Sequence, residues 1–217
     1  MPQYRYDVIE EIRKRLSGPL PGPEAQYRMA FLRRLEDLAR LGGVPDHART
    51  ACVLHLLHWD AGAWRTVLIQ RTVNPRDKHA GQMSFPGGRH EMQDASLEQA
   101  ALRETEEEIG VPPSAIRIIG RLTELYIPVS NYLVHPFVGI LEKPMQFTPQ
   151  PGEVADIIRP PMRLFYEEAH CKRGDLPVSE GVLLKDVPHF SVSDRIVWGA
   201  TAMILSEFLA LFPEGLD

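Results

Sequence analysis

One stretch, SLEQAALRETEEEIG at residues 96–110, can fold as little other than a helix. Ser96 and Gln99 form a capping-box pair at its start, and Gly110 stands just past its end. Leu97, Ala101, Leu102, Thr105 and Ile109 mark the side turned toward a core. The same stretch places Glu104, Glu106, Glu107 and Glu108 within five consecutive positions. Like charges this close repel one another on a helix, so the crowding needs a cause.

Helical geometry divides the four. With Glu104 as origin, Glu108 falls about 40° to one side and Glu107 about 60° to the other, while Glu106 points roughly opposite. Arg103 lies four residues before Glu107, a spacing at which the two pair. Three convergent carboxylates call for a cation, and a hard divalent ion with oxygen ligands is the natural partner. Mg²⁺ favours one or two carboxylates together with substrate phosphates, which describes a diphosphate site. Such an ion lowers the pKa of a bound water, and a spare glutamate can orient or deprotonate that water. The competing reading is a solvated acidic face. What tips the balance is Gly87-Gly88, upstream in SFPGGRHEMQDAS, where backbone can approach a ligand unobstructed and offer a carbonyl to a metal.

Around this helix the pattern alternates. Val8, Ile9, Ile12 and Leu16 predict an N-terminal helix, and Tyr27, Ala30, Phe31, Leu35, Leu38 and Ala39 a second, stopped at Gly42-Gly43. Residues 1–48 are thus expected to form a helical extension, and 49–217 the main domain. TACVLHLLHW and WRTVLIQRTV read as strands joined by DAGA; AIRIIGRL, LYIPVS, YLVHPFVGIL and GVLLKDV read as further strands. A proline-rich connection is expected over 144–161, a short helix at MRLFYEEAH, and a terminal helix over 194–212 capped by Asp194. Strands on both sides of a central helix, closed by a terminal one, argue for an α+β fold or an α/β/α sandwich.

GGRHEMQDASLEQAALRETEEEIGV resembles the Nudix box. Its second half, Arg103-Glu104-Thr105-x-Glu107-Glu108-x-Gly110-Val111, fits closely except that Thr105 replaces an aliphatic residue. Its first half departs: the usual glutamate eight residues before the arginine is Ala95 here, with Asp94 one position earlier. The longer loop is similar to that of the coenzyme A pyrophosphatases, and LIQRTVNPRDKHAGQMSFPGG, VSNYLVHPFVG, GEVADIIRPPM and VWGATAMIL resemble that branch too. One extra residue separates Arg71 from Gly81, so Arg76 or Lys78 takes the second basic position. The resemblance covers roughly residues 49–212.

The resemblance implies a Nudix α/β/α sandwich with a mixed sheet, and Mg²⁺- or Mn²⁺-dependent hydrolysis of a coenzyme A-like nucleotide to 3',5'-ADP and 4'-phosphopantetheine. Glu104 and Glu108 are then the expected metal ligands, with the Gly88 carbonyl beside them. Glu107 is a third ligand or the water-orienting base, Arg103 positions a glutamate, and Asp94 stands in for the missing brace. Arg71, Arg76, Lys78 and Arg89 are cations for the diphosphate and the 3'-phosphate, Arg71 being the candidate for the latter. Gly81, Phe85, Gly87 and Tyr132 complete the expected substrate contacts. Glu153 reads as a solvated loop carboxylate, although several Nudix enzymes use a later glutamate as base. His79, His90 and His135 have no zinc-like spacing, Cys171 lacks an activating base, and Trp198, Ile204, Leu205 and Phe208 read as packing.

Composition narrows the field. A net charge of −5 does not indicate a nucleic-acid surface. No apolar run of membrane-spanning length and no signal-peptide core is present. Two cysteines form no disulfide framework. A soluble cytoplasmic protein is expected, acting on a small nucleotide; packing on the sandwich, covering the site and forming a homodimer contact are the roles open to the N-terminal helices. The rival readings are a Nudix hydrolase of ADP-ribose, dinucleotides or nucleoside triphosphates, and a Nudix-fold sensor that binds a nucleotide without cleaving it.

Overall fold

Twelve consecutive residues, Arg49–Asp60, form the strand β1 around which the molecule is laid out. The computed structural model describes residues 3–73, 79–179, 182–212 and 215–216. Along β1 the side chains alternate between two cores. Cys52, Leu54 and Leu56 face one cluster; Ala51, Val53 and Leu57 face the other. A strand apolar on both faces must be covered on both.

Ahead of β1 come α1 (Gln3–Leu16), α2 (Gly22–Gln26) and α3 (Leu32–Leu41). After it run β2 (Ala63–Thr66), β3 (Leu68–Arg71), β4 (Met83–Ser84) and β5 (Gly87–Arg89), then the glutamate helix α4 (Leu97–Ile109). The chain continues through β6 (Ile116–Arg121), β7 (Leu125–Ile127), β8 (Tyr132–Leu141) and β9 (Val154–Ile158). It closes with β10 (Cys171–Ser179), β11 (Val182–Val192), β12 (Arg195–Trp198) and α5 (Gly199–Leu211). The main sheet has the order β2-β1-β8-β6, with β5 also on β1 and β7 also on β8. β1 and β8 are parallel, whereas β2, β5, β6 and β7 pair antiparallel, so the sheet is mixed. Two three-stranded sheets flank it, β4-β3-β9 and β10-β11-β12.

Ala100, Ala101 and Ile109 of α4 pack on one face of the main sheet, while Ile9, Ile12 and Leu16 of α1 and Ile204, Leu205 and Phe208 of α5 pack on the other. The result is the expected α/β/α sandwich. α1 comes close to β6 because Gly120 has no side chain; a Cβ there would sit 2.7 Å from Leu16 Cβ. The extension is fastened by Glu207 of α5, fully buried, whose carboxylate accepts from Gly22 N (3.1 Å), Gln26 Nε2 (2.8 Å) and Thr123 Oγ1 (2.6 Å). Among the described residues no helix is long and apolar enough to cross a membrane.

Several expectations are corrected. The second N-terminal helix is not continuous: Tyr27–Met29 is a 3-10 turn, and Ala30 and Phe31 are extended before α3 begins. WRTVLIQRTV changes sheets at Val67, whose N–H bonds Leu56 O, so it becomes β2 and β3. The proline-rich connection contains β9, and MRLFYEEAH forms two 3-10 turns rather than an α-helix. β10 is an additional strand. The terminal helix starts at Gly199, because Ser193 and Asp194 both take positive φ and turn the chain from β11 into β12.

Candidate active site

α4 is placed by its ends. Ser96 Oγ accepts from Gln99 N (3.1 Å), and Gln99 Oε1 reaches back to Ala95 N (2.7 Å). Gly110, at φ 71°, bonds Glu106 O (2.9 Å) and stops the helix. Beyond it, Thr148 N and Gln150 N take the carbonyls of Ile109 and Glu108, satisfying acceptors the helix leaves open.

Three layers of charge are built on this helix. At the base, Arg103 donates from Nε and Nη2 to the two oxygens of Asp94 (2.8 and 3.1 Å). This paired geometry is strong and directional, and it holds the buried Asp94 carboxyl down to about 2, while the guanidinium is pushed above its ordinary value by the same bond. Asp94 also accepts from Glu91 N (2.8 Å), which closes the loop before α4. Ala95 itself is exposed. Arg103 then reaches upward: Nη1 lies 3.0 Å from both Glu104 Oε1 and Glu107 Oε2, and Nη2 takes Arg89 O (3.1 Å).

The glutamates differ in depth. Glu107 is exposed, Glu104 half-buried, and Glu108 only 1% exposed. Burial drives Glu104 up, with Arg103 opposing. Burial pushes Glu108 to about 8, although Gly87 N donates to its Oε2 (2.8 Å) and Arg71 Nη1 lies 3.7 Å from its Oε1. Negative charge on Glu153 raises both Glu104 and Glu108. Glu153 is exposed on the loop before β9, and it is the smallest of the causes named for either group. Glu106 is exposed, as the helical wheel requires.

β5 explains the paired glycines. Gly87 takes φ 148°, and a Cβ there would lie 2.6 Å from Val53 Cα on β1. At Gly88 a Cβ would lie 2.7 Å from Glu104 Oε1. Backbone and carboxylate are thus in direct contact, with no room for a side chain between them. Among the described residues no three acidic, histidine or cysteine side chains already converge into an ion-holding group. Arg103 draws Glu104 and Glu107 to one side, and the Gly87 N–H holds Glu108 on the other. The donor set still fits a hard divalent cation, because it is entirely oxygen and contains a buried carboxylate whose nearby cation, Arg71, stands off at 3.7 Å.

A cleft of about 950 Å³ opens at this point. Arg71, Phe85, Gly87, Gly88, Arg89 and Tyr132 line it. Gly81 does not; it forms a turn at φ 72° whose carbonyl meets Gln70 Nε2 at 3.4 Å. Arg76 and Lys78 lie outside the described residues. His79 lines the cleft and its Nδ1 lies 3.2 Å from Gln82 Oε1, whereas His135 faces Glu124 at 3.2 Å. Cys52 is buried and pushed up to about 12 by that burial, and Cys171 is exposed; both are unbonded. Much of the remaining wall is apolar, including Phe31, Met83, Ile127, Leu184 and Trp198. The N-terminal extension supplies part of this wall through Phe31, Arg33, Arg34 and Asp37, residues that no motif in the sequence singles out.

Residues 46–177 match the NUDIX domain family. The chain is 36% identical over 141 residues to the "Uncharacterized Nudix hydrolase NudL" of Yersinia enterocolitica, covering 64% of this chain and 70% of that protein. It is 38% identical over 147 residues to the protein of the same name from Escherichia coli, covering 65% and 71%. Among solved structures, the fold is similar to that of a MutT/nudix family protein from Enterococcus faecalis, with a TM-score of 0.50 at 17% identity, covering 88% of this chain and 73% of that one. With a mixed sheet between helices and the glutamate helix seated against Gly87-Gly88, the chain belongs to the Nudix hydrolase family.

Proposed function

We propose that this hydrolase cleaves the diphosphate of coenzyme A or its acyl derivatives, giving 3',5'-ADP and the (acyl-)4'-phosphopantetheine. The observation that carries the reading is the cleft: it begins at Gly88 and Arg71, beside the carboxylates, and continues along a largely apolar wall. A nucleoside diphosphate attached to a long, partly apolar arm matches that change in lining. A second nucleotide or a triphosphate would want polar groups along its whole length.

Glu104, Glu107 and Glu108, with the Gly88 carbonyl, would hold Mg²⁺ or Mn²⁺. The bound ion would neutralise phosphate oxygens and make water a better nucleophile. The protein's own part is positional. Asp94 holds Arg103, and Arg103 fixes Glu104 and Glu107 along one edge of the helix. Gly87 N holds Glu108 beneath the turn. Arg71 and Arg89 offer positive charge to the diphosphate where it enters the cleft. Hydrolysis breaks one P–O bond: the water oxygen joins one phosphorus and the bridging oxygen leaves with the other. The two unbonded cysteines agree with a reducing, cytoplasmic setting.

A panel of coenzyme A, acyl-coenzyme A, ADP-ribose, dinucleotides and nucleoside triphosphates, assayed with Mg²⁺ and with Mn²⁺ and resolved by chromatography, tests this. Release of 3',5'-ADP from coenzyme A is expected. Turnover confined to ADP-ribose or triphosphates would replace the substrate assignment. Binding without turnover, unchanged in Glu108→Gln, would point to a sensor.

A further inference from the structure

The cleft contains a cation that the diphosphate chemistry leaves unused. Arg34, on α3, lines it and is only 6% exposed. Its Nη2 donates to Tyr126 O at 2.9 Å, but its buried Nε has no hydrogen-bond partner. Burial pulls the guanidinium down to about 10, against the attraction of Tyr27 and Asp37. Asp37, which also lines the cleft, sits 3.9 Å from Arg40 and so is already shared. Arg33 adds a second positive charge to the same wall.

A buried guanidinium held by one carbonyl is costly, because its buried Nε–H is unpaired and the nearby carboxylate, Asp37, is shared with Arg40. Such groups persist where a ligand completes them. Arg71 does not fill this role, since it faces Glu108 at the carboxylate cluster. We propose that Arg34 anchors a second anion subsite in the cleft, which receives an acidic group of the substrate other than its diphosphate. This rests on the reading of the cleft as the substrate site. It also gives the N-terminal extension a direct part in substrate selection. Two parts of a coenzyme A thioester supply such chemistry: the ribose phosphate and a carboxylate at the end of the acyl chain.

Wild type, Arg34→Gln and Arg34→Lys are compared as full chains on coenzyme A against dephospho-coenzyme A, and on succinyl- against butyryl-coenzyme A. We expect wild type to prefer the more acidic member of one pair in kcat/KM. Arg34→Gln should collapse that ratio by about tenfold or more, through KM, with Arg34→Lys intermediate. Collapse in the first pair identifies the phosphate, and in the second the carboxylate. Arg34→Lys keeps the charge and covers the case in which Arg34→Gln does not fold. Equal losses on all four substrates, or both ratios unchanged, would leave Arg34 as a tether to Tyr126 and overturn the subsite. If wild type cleaves none of the four, the substrate proposal fails on its own. Calorimetric titration of adenosine 3',5'-bisphosphate and adenosine 5'-monophosphate then reads the subsite without turnover. Arg34→Gln must weaken the bisphosphate about tenfold more than the monophosphate, and equal weakening overturns the subsite there as well.

Discussion

Glu108 on α4 and Glu207 on α5 are both buried glutamates, on helices that cover opposite faces of one sheet. Their surroundings differ. Glu207 accepts from the Gly22 and Thr123 amides, the Gln26 amide group and the Thr123 hydroxyl, so both its oxygens are occupied. Glu108 has one amide at 2.8 Å and an arginine at 3.7 Å. A buried carboxylate saturated by its own chain is a structural joint. One left short of donors is available to something that arrives from outside.

The largest test of that contrast is Glu108→Gln. It should lower kcat by at least about a hundredfold, with thermal stability unchanged or raised, since a neutral side chain suits this buried position. Near-normal turnover would remove Glu108 from the reaction. Glu207→Ala should do the reverse: about 2 kcal/mol lost in denaturant unfolding, because several buried donors lose their acceptor, with kcat of the folded protein within about threefold of wild type. Next in size, Asp94→Asn should cut kcat about tenfold by loosening Arg103 from the glutamates. If kcat held and only stability fell, the Asp94–Arg103 pair would be structural, like Glu207.

The smallest effect concerns His55, fully buried between Phe85 and Phe208, with neither ring nitrogen hydrogen-bonded. Burial pulls it down to about 3. Unfolding restores an ordinary pKa near 6.5, so the unfolded chain binds the extra proton between those values. Stability is therefore complete above about pH 6.5 and declines as pH falls toward 3. Between pH 7 and pH 6 the loss is about 0.7 kcal/mol, measured by urea titration. His55→Phe should remove that increment; an identical slope in the variant would show that another group carries it.

Much of this was legible in the sequence. α4 announced its ends through Ser96, Gln99 and Gly110, and its period placed Glu106 apart from the other three. Depth was not legible, because a helical wheel gives direction but not what covers each face. Glu108 is buried beside Gly87 of β5 while Glu107, the residue before it, is exposed, and that difference is set by a strand outside the helix. Asp94 could be suggested as a brace but not seen, since its bond to Arg103 is set by a loop. Asp194 misled in a different way: a good helix-capping residue stands in a left-handed turn between two strands. β9 was hidden among prolines, and β10 carries Gly174 and Pro177, which weaken a strand pattern. Arg34 was invisible because it meets the cleft through a contact far away along the chain.

The joint at Glu207 also has a consequence in time. Gly22 and Gln26 are 185 and 181 residues ahead of the carboxylate that fixes them. On a ribosome adding about 5–20 residues per second, they wait roughly 10–40 s for it. At the start of that interval the apolar stripe of α1 has no sheet strand to rest on, and until its end it lacks α5. The joint at Gly22 and Gln26 closes only once α5 has been made, and until then part of the apolar surface that α1 and α5 share stays open to a chaperone or to another copy of the chain.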